Sequence, residues 1–447
     1  MQVTETAAAG LKREFRVVVP KSDLAARVDE RLDDLKGKVQ LRGFRPGKVP
    51  VAHLKRLYGK SAMAEVIEAA VREANQKIVT DLKPGERLAI EPKVMLPEEQ
   101  AAVEGIITGH ADLAYTVEIE VVPPIALTDF KTLKLSRPVA EVTDEEIERT
   151  LNVFGEQTRP FLSKSEGAEK GDRVTVSYQG AIDGKPFEGG SAEDIPITLG
   201  SGSFIPGFED HLVGVKAGES RSFDITFPEK YASAVAGKAA TFTVTAKAVE
   251  APAPVTIDDE FAKTIGMESL AKLRDAIRDQ IARDHAAASR RKLKRALFDE
   301  LDARHKFEPP PTLVEQEFAN VWATVEKDLK DQGRTFADED TTEEKAREEY
   351  RVIAERRVRL GLVIAEIGEK NNINVTDEQL RAAVMEQARR LPGQEQQVWD
   401  YYRKNPDAIA ALRAPLFEDK VVDFLVELAD VTDKQVSRDE LFEENED

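Results

Sequence analysis

Glycine is spread so unevenly along this 447-residue chain that it separates fold classes before any motif is read. Residues 171–250 hold 11 of the 26 glycines, whereas 251–447 hold five. Glycine supplies the backbone conformations of tight turns and weakens helix interiors. The middle is therefore read as turn-rich antiparallel β structure and the last part as long helices. The first part, about 1–125, mixes both patterns. At ~100–200 residues per domain, the length suits two to four domains, with three the central expectation.

In the first part, Phe15, Val17 and Val19 alternate like a strand, and Ser22 is placed to cap a helix carrying Leu24, Val28, Leu32, Leu35 and Val39. Ser61 is read as the cap of a second helix with Met63, Val66, Ile67, Ala70, Val71, Ala74, Ile78 and Leu82 on one face. A strand through Leu113, Tyr115, Val117, Ile119 and Val121 follows, which makes this part α+β. Pro123-Pro124 marks its exit, and 126–150 reads as a connector in which Thr143 and Glu146 have capping-box spacing.

Within 151–250, strands are expected at 174–178, 195–199, 223–227 and 242–248, a hairpin turn at Asp183-Gly184, and one short helix over 206–212. After the linker Ala251-Pro252-Ala253-Pro254, stripes at Leu270, Leu273, Ile277, Ile281 and at Val314, Phe318, Val321, Val325, Leu329 mark two helices. Pro309-Pro310-Pro311 must separate them, because proline lacks the amide donor. Further helices are expected near 341–369, 376–391 and 415–430, completing a helical part over 251–432. Residues 433–447, with seven acids against two bases, read as a frayed acidic tail. Val375-Thr376-Asp377-Glu378 echoes Val142-Thr143-Asp144-Glu145 as a second helix cap, not a repeat.

Several chemistries are excluded. Cysteine is absent, which removes disulfides, thiol catalysis and cysteine-based metal sites. His53, His110, His211, His285 and His305 never fall at helical metal-motif spacing, so no metal site is expected, and no cofactor is expected either. No stretch approaches the ~20 apolar residues of a membrane span, and the start, running from Ala7-Ala8-Ala9 into Lys12-Arg13-Glu14, predicts no secretory leader. The expected setting is cytoplasmic. A formal net charge of −19 argues against a general nucleic-acid coat protein unless a local patch reverses the sign.

One patch does. From 36 to 60 the bases are Lys36, Lys38, Arg42, Arg45, Lys48, Lys55, Arg56 and Lys60, with no acid. Cations around a Gly/Pro turn bearing Phe44 suit a surface of phosphate and protein such as a ribonucleoprotein. A solvated basic face with Phe44 tucked into its own domain accounts for the same residues. The segment Gly43-Phe44-Arg45-Pro46-Gly47-Lys48-Val49-Pro50 resembles the signature loop of the trigger factor family of bacterial ribosome-associated chaperones. The order of parts agrees over essentially the whole chain. The resemblance implies that Phe44 and Arg45 dock at the rim of the ribosomal exit tunnel, within a Gly43, Pro46, Gly47 turn, while Lys48 supports phosphate contacts. Pro46 stands where the family frequently has lysine, replacing a charge with a rigid residue.

A second constellation is aromatic: Tyr178, Phe187, Phe204, Phe208, Tyr231 and Phe242 could converge on one concave face or form an ordinary β core. The segments 176–180, 183–187 and 199–208 resemble FKBP-type peptidyl-prolyl isomerases. That resemblance implies a proline pocket lined by Tyr178, Phe187, Ile205, Phe208, Tyr231 and Phe242. Glu188 stands where the family usually has Asp, and Phe208 where small members have Trp. A roomier pocket, retained isomerase activity and weakened macrocycle binding are expected. Gly200-Ser201-Gly202 lacks the third glycine position of a dinucleotide loop.

Residues and resemblance together imply a multidomain α+β chain: an α+β ribosome-binding head, an FKBP-like antiparallel β-sheet with one short helix, and an all-α C-terminal domain. Implied partners are the large ribosomal subunit near the tunnel exit, through protein and rRNA, and nascent or unfolded polypeptides. A homodimer off the ribosome is a further possibility, and no membrane is involved. From pattern alone the helical stripes suit a plain core or dimer interface better than client binding, and only the family resemblance turns them toward client binding. A stand-alone isomerase has no use for the 43–50 loop, and an RNA-associated factor is opposed by the acidic balance elsewhere.

Overall fold

The computed structural model describes residues 1–38, 44, 49–228, 235–339 and 341–443, with Lys38, Glu188 and Glu339 described by backbone alone. The chain divides into two compact units, Met1–Leu135 with Lys294–Val431, and Ser136–Leu293 with Thr432–Asp447.

The first unit opens with β1 (Gln2–Ala9), β2 (Lys12–Val19), α1 (Lys21–Lys38), α2 (Val51–Thr80), β3 (Arg87–Leu88), β4 (Lys93–Met95), α3 (Gln100–Ile107) and β5 (Leu113–Val122). The sheet order is β1-β2-β5-β3, with β4 also on β5. Register pairs Val17 with Tyr115 and Val19 with Leu113, and these residues share one core with Leu24, Val28 and Leu32 of α1 and Leu54, Val66, Ala70 and Ile78 of α2. Strand β1 was not foreseen, because its side chains are mostly exposed and show no alternation.

Both serine caps fall elsewhere. Helix α1 begins before Ser22, with the Asp23 and Leu24 amides donating to the Pro20 carbonyl and the Lys21 amide to Asp112 Oδ1 at 2.8 Å. Ser61 lies inside α2, which starts directly after Pro50; no proline interrupts 51–60, and fully buried Leu54 anchors the added turns.

The second unit contains most of β6 (Lys134–Val139), then α4 (Asp144–Thr158), β7 (Phe161–Ser163), β8 (Arg173–Ile182), β9 (Lys185–Thr198), β10 (Ser220–Thr226) and β11 (Ala239–Pro252). The capping box of α4 forms: Thr143 Oγ1 accepts from the Glu146 amide (3.3 Å), and Glu146 Oε2 accepts from the Thr143 amide (3.1 Å). The antiparallel sheet runs β10-β11-β8-β9, with β7 on β11. Asp183 and Gly184 turn β8 into β9 with φ of +50° and +75°, as a type I′ turn requires. Strand β11 absorbs the start of the expected linker, pairing Pro252 with Phe161 at the sheet edge, where a missing donor is tolerated. The helix expected over 206–212 shrinks to one 3-10 turn, Asp210–Leu212, because Gly207 holds φ +89°. Helix α5 (Asp259–Thr264) and the early turns of α6 (Leu270–Arg304) pack through Phe261, Leu273 and Ile277 with Ile147 and Leu151 of α4.

The remaining elements are α7 (Pro311–Gln332), α8 (Glu343–Lys370), α9 (Asp377–Arg389), α10 (Glu395–Lys404), α11 (Pro406–Leu428), β12 (Asp430–Gln435) and α12 (Arg438–Phe442). In α7, Val314, Phe318 and Trp322 pack with Ala346 and Ala354 of α8. The echoed cap also forms, with Gln379 and Thr376 exchanging side-chain and amide hydrogen bonds. Helix α10 is not among the expected helices, and α11 starts at Pro406, ahead of the helix expected near 415–430, with Pro415 inside it. The tail expected to fray is ordered through 443 in the second unit: Ser437 Oγ caps α12 by accepting from the Glu440 amide (3.1 Å), and Leu441 is buried. Among the described residues, no helix is long and apolar enough to cross a membrane.

The three prolines do separate α6 from α7, and the first free amide of α7 is met from the head. Thr312 N–H donates to both oxygens of Glu120 on β5 (3.1 and 3.3 Å), a carboxylate that is buried and favourably placed at a helix N-terminus. Glu120→Ala should destabilise the chain by ~1–3 kcal/mol, since the half-buried Thr312 amide loses a charged acceptor. Glu120→Gln, which keeps an acceptor, should cost less. Urea unfolding followed by circular dichroism checks this, and equal stability of all three proteins would refute it.

Candidate functional site

Strands β8, β9, β10 and β11 carry their aromatic residues into one cluster. Phe208 and Phe242 are buried at its base, 5.4 Å apart between ring centroids and nearly perpendicular. Tyr178 meets both edge-on, at 5.8 and 6.1 Å, and also meets Phe204 at 6.2 Å. Phe204 stacks on Phe208 at 5.2 Å, while Phe187 meets Phe242 at 6.3 Å from the other side. Tyr178, Phe187, Phe204 and Ile205 are only partly buried, so the cluster has a closed floor and an accessible rim.

Five of the seven residues assigned to this site from sequence can thus be placed, and Tyr178, Phe187, Ile205, Phe208 and Phe242 belong to one cluster. Tyr231 lies outside the described residues, as does the side chain of Glu188 on β9. Phe223 and Phe227, read only as strand residues, join the same cluster: Phe223 faces Phe208 at 5.4 Å, and Phe227 faces Phe187 at 5.8 Å. Their alternation opposite Phe242 was the available signal, since Phe223 and Phe242 are register partners.

Two glycines make room for the rings. A Cβ on Gly180 would stand 2.6 Å from Phe242 Cε1, and one on Gly190 would stand 2.8 Å from Phe187 Cε1. Neither position tolerates a methyl group without moving a packed ring. Gly180→Ala should therefore lower kcat/KM for a prolyl peptide about tenfold, equivalent to ~1.4 kcal/mol of transition-state binding. A protease-free isomerisation assay reads this directly, and activity within twofold of the parent would show that the Phe242 position is not critical.

A carboxylate missed in the sequence organises the rim. Glu209 Oε2 accepts from the amides of Gly200 (2.7 Å) and Gly202 (3.2 Å), and Oε1 accepts from Ser201 Oγ (3.1 Å) and the Phe204 amide (3.3 Å). Gly200 and Gly202 have φ of +89° and +68°, which turns successive amides inward into an anion-binding nest. Burial works to raise the Glu209 pKa, but the hydrogen bonds from Gly202, Gly200, Ser201 and Phe204 outweigh it and hold the carboxyl below its usual value. The glycine pair that resembles a phosphate loop is thus already filled by the protein's own anion.

The cluster suits bond rotation better than bond breaking. An X–Pro amide rotates over a barrier of ~18–20 kcal/mol because its planar form is resonance-stabilised. A pocket that binds the twisted amide more tightly than the planar isomers lowers that barrier without a nucleophile. Apolar ring walls disfavour the charge-separated planar form. Among the described residues, no group of His, Asp and Glu is arranged to hold a metal ion.

In the head, Phe44 is 37% exposed, with its ring 5.3 Å from that of His53 in the first turn of α2. His53 Nδ1 lies 3.4 Å from an Arg56 guanidinium nitrogen. Lys55 pairs with Asp29 at 3.3 Å and Lys36 with Asp33 at 3.8 Å, both solvent-exposed pairs of little energetic weight. Gly43, Arg45, Pro46, Gly47 and Lys48 lie outside the described residues.

Comparison with known proteins gives the family. Family models for the bacterial trigger factor protein match residues 1–154 and, for its C-terminus, 269–427, and the FKBP-type peptidyl-prolyl cis-trans isomerase model matches 164–247. The trigger factor of Azorhizobium caulinodans is 60% identical over 447 residues, covering 100% of this chain and 99% of its own. The chain belongs to the trigger factor family. That of Xanthobacter autotrophicus is 58% identical over 449 residues, with 100% and 99% covered. A solved trigger factor chaperone, described for promiscuous substrate recognition in folding and assembly, is 21% identical, covers 96% of this chain and 99% of its own, and has a TM-score of 0.56, a likeness of fold. As a trigger factor with an FKBP-type region, the chain is a ribosome-associated chaperone and a peptidyl-prolyl cis-trans isomerase.

Proposed function

We propose that Tyr178, Phe187, Ile205, Phe208 and Phe242, with Glu188 and Tyr231, form the X–Pro pocket, and that Gly43, Phe44, Arg45, Pro46, Gly47 and Lys48 moor the chain at the tunnel exit. The convergence of partly exposed rings over a buried Phe208–Phe242 floor is the observation that carries the first assignment. Exposed Phe44 within an acid-free run in a chain of net charge −19 supports the second. In this reading the domains are a head over 1–125, a connector over 126–150, the isomerase over 151–250, a helical client-binding body over 251–432 and an acidic segment over 433–447. The partners are protein and rRNA of the large subunit, and nascent chains kept open for folding or export in the cytoplasm. We further propose that the chain can pair as a homodimer off the ribosome. Weak, many-site apolar contact suits such a holdase, since tight binding would retain the client.

Ribosome cosedimentation of Phe44→Ala/Arg45→Ala, alongside proline-limited refolding with Phe242→Ala, tests the two assignments separately. The first variant should leave the ribosome pellet while keeping isomerase activity. The second should pellet normally while losing at least tenfold in catalysis. Unchanged pelleting removes the mooring assignment, and wild-type catalysis removes the pocket.

A further inference from the structure

Prolyl isomerisation by an apolar pocket requires no carboxylate, yet a buried one stands next in sequence to the floor ring. Glu209 is 9% exposed, and its two oxygens take up three backbone amides and one hydroxyl from residues 200–204. Ser201 Oγ extends the network by accepting from the Ser203 amide at 3.3 Å. The chain therefore sends adjacent side chains in two directions: Phe208 into the core, and Glu209 back across the loop that delivers Phe204 and Ile205 to the rim.

We propose that Glu209 is a positioning residue for prolyl isomerisation: its carboxylate fills the nest of residues 200–204 and fixes Phe204 and Ile205 as one wall of the X–Pro site before substrate arrives. The proposal rests on the assignment of the pocket above. A loop with glycines at two of its first three positions has much backbone freedom to lose, because glycine restricts itself least when unfolded. With the carboxylate in place, that freedom is already lost in the free protein. Without it, the ordering must accompany binding, which weakens substrate and transition state alike. The signature of this role is a raised KM with a preserved kcat.

Glu209→Gln separates the contacts. The amide oxygen can keep the Gly200 and Gly202 amides, and the amide nitrogen can donate to Ser201 Oγ, which leaves the Phe204 amide without an acceptor. The full-length variant should show KM for a prolyl tetrapeptide raised about tenfold with kcat within twofold. Hydrogen exchange at the Phe204 amide should quicken at least tenfold, while exchange at Ile225 on β10 stays unchanged. Ser201→Ala, which removes one of the four donors, should raise KM two- to threefold and serves if the glutamine variant loosens the whole sheet. An unchanged KM in either folded variant overturns the proposal, as does a fall in kcat at constant KM. Phe242→Ala, measured in parallel, separates the two levels. Full activity there removes the pocket itself, whereas loss of activity there beside an unchanged Glu209→Gln removes only the role of Glu209.

Discussion

The isomerase region depends on two absent methyl groups. At Gly180 and Gly190 the backbone runs so close to Phe242 and Phe187 that a Cβ would overlap their rings. Edge-to-face contacts of 5.4 to 6.3 Å among Tyr178, Phe187, Phe208 and Phe242 follow from that close approach. Aromatic pairs prefer such geometry, because the positive ring edge meets the negative face of its neighbour. The floor of the aromatic cluster and the domain core are therefore the same packed object, and a change that loosens one loosens the other.

That economy explains how a catalyst operates without histidine or cysteine chemistry. In the proposed pocket the rings supply the shape and dielectric that the reacting bond needs, and the rim is in place before the chain to be isomerised arrives. The rim is held by polar means, through the Glu209 carboxylate and the inward amides of 200–204. Elsewhere in the molecule a second buried carboxylate does comparable work, with Glu120 of the head sheet meeting the first turn of α7. In both places an anion completes backbone amides that secondary structure leaves unpaired.

Much of this was legible in the sequence where local rules govern. The alternation of β5, the Asp183-Gly184 turn, the capping box at Thr143 and the helix cap at Thr376 appear as read, because each is settled within a few residues. The misreadings share a cause. Ser22 and Ser61 have cap chemistry, but the helices start where Pro20 and Pro50 allow and where Leu24 and Leu54 are buried. The helix expected near 415–430 starts earlier, at Pro406, with Pro415 inside it. Strand β1 and helix α10 bury no complete side chain and so leave no periodic apolar signal. In the candidate site, the clustering of the rings was legible because type and motif announced them, whereas Glu209 was missed because its partners are backbone amides, which no residue pattern displays.

Exchange spectroscopy on a proline-containing unfolded peptide with the full-length chain tests the central claim most directly, because it follows bond rotation and binding position together. Cis-to-trans exchange should accelerate, with amide shift changes confined to the strands and loops carrying Tyr178, Phe187, Phe204, Ile205 and Phe242. Accelerated exchange with shift changes located away from those residues would contradict the account.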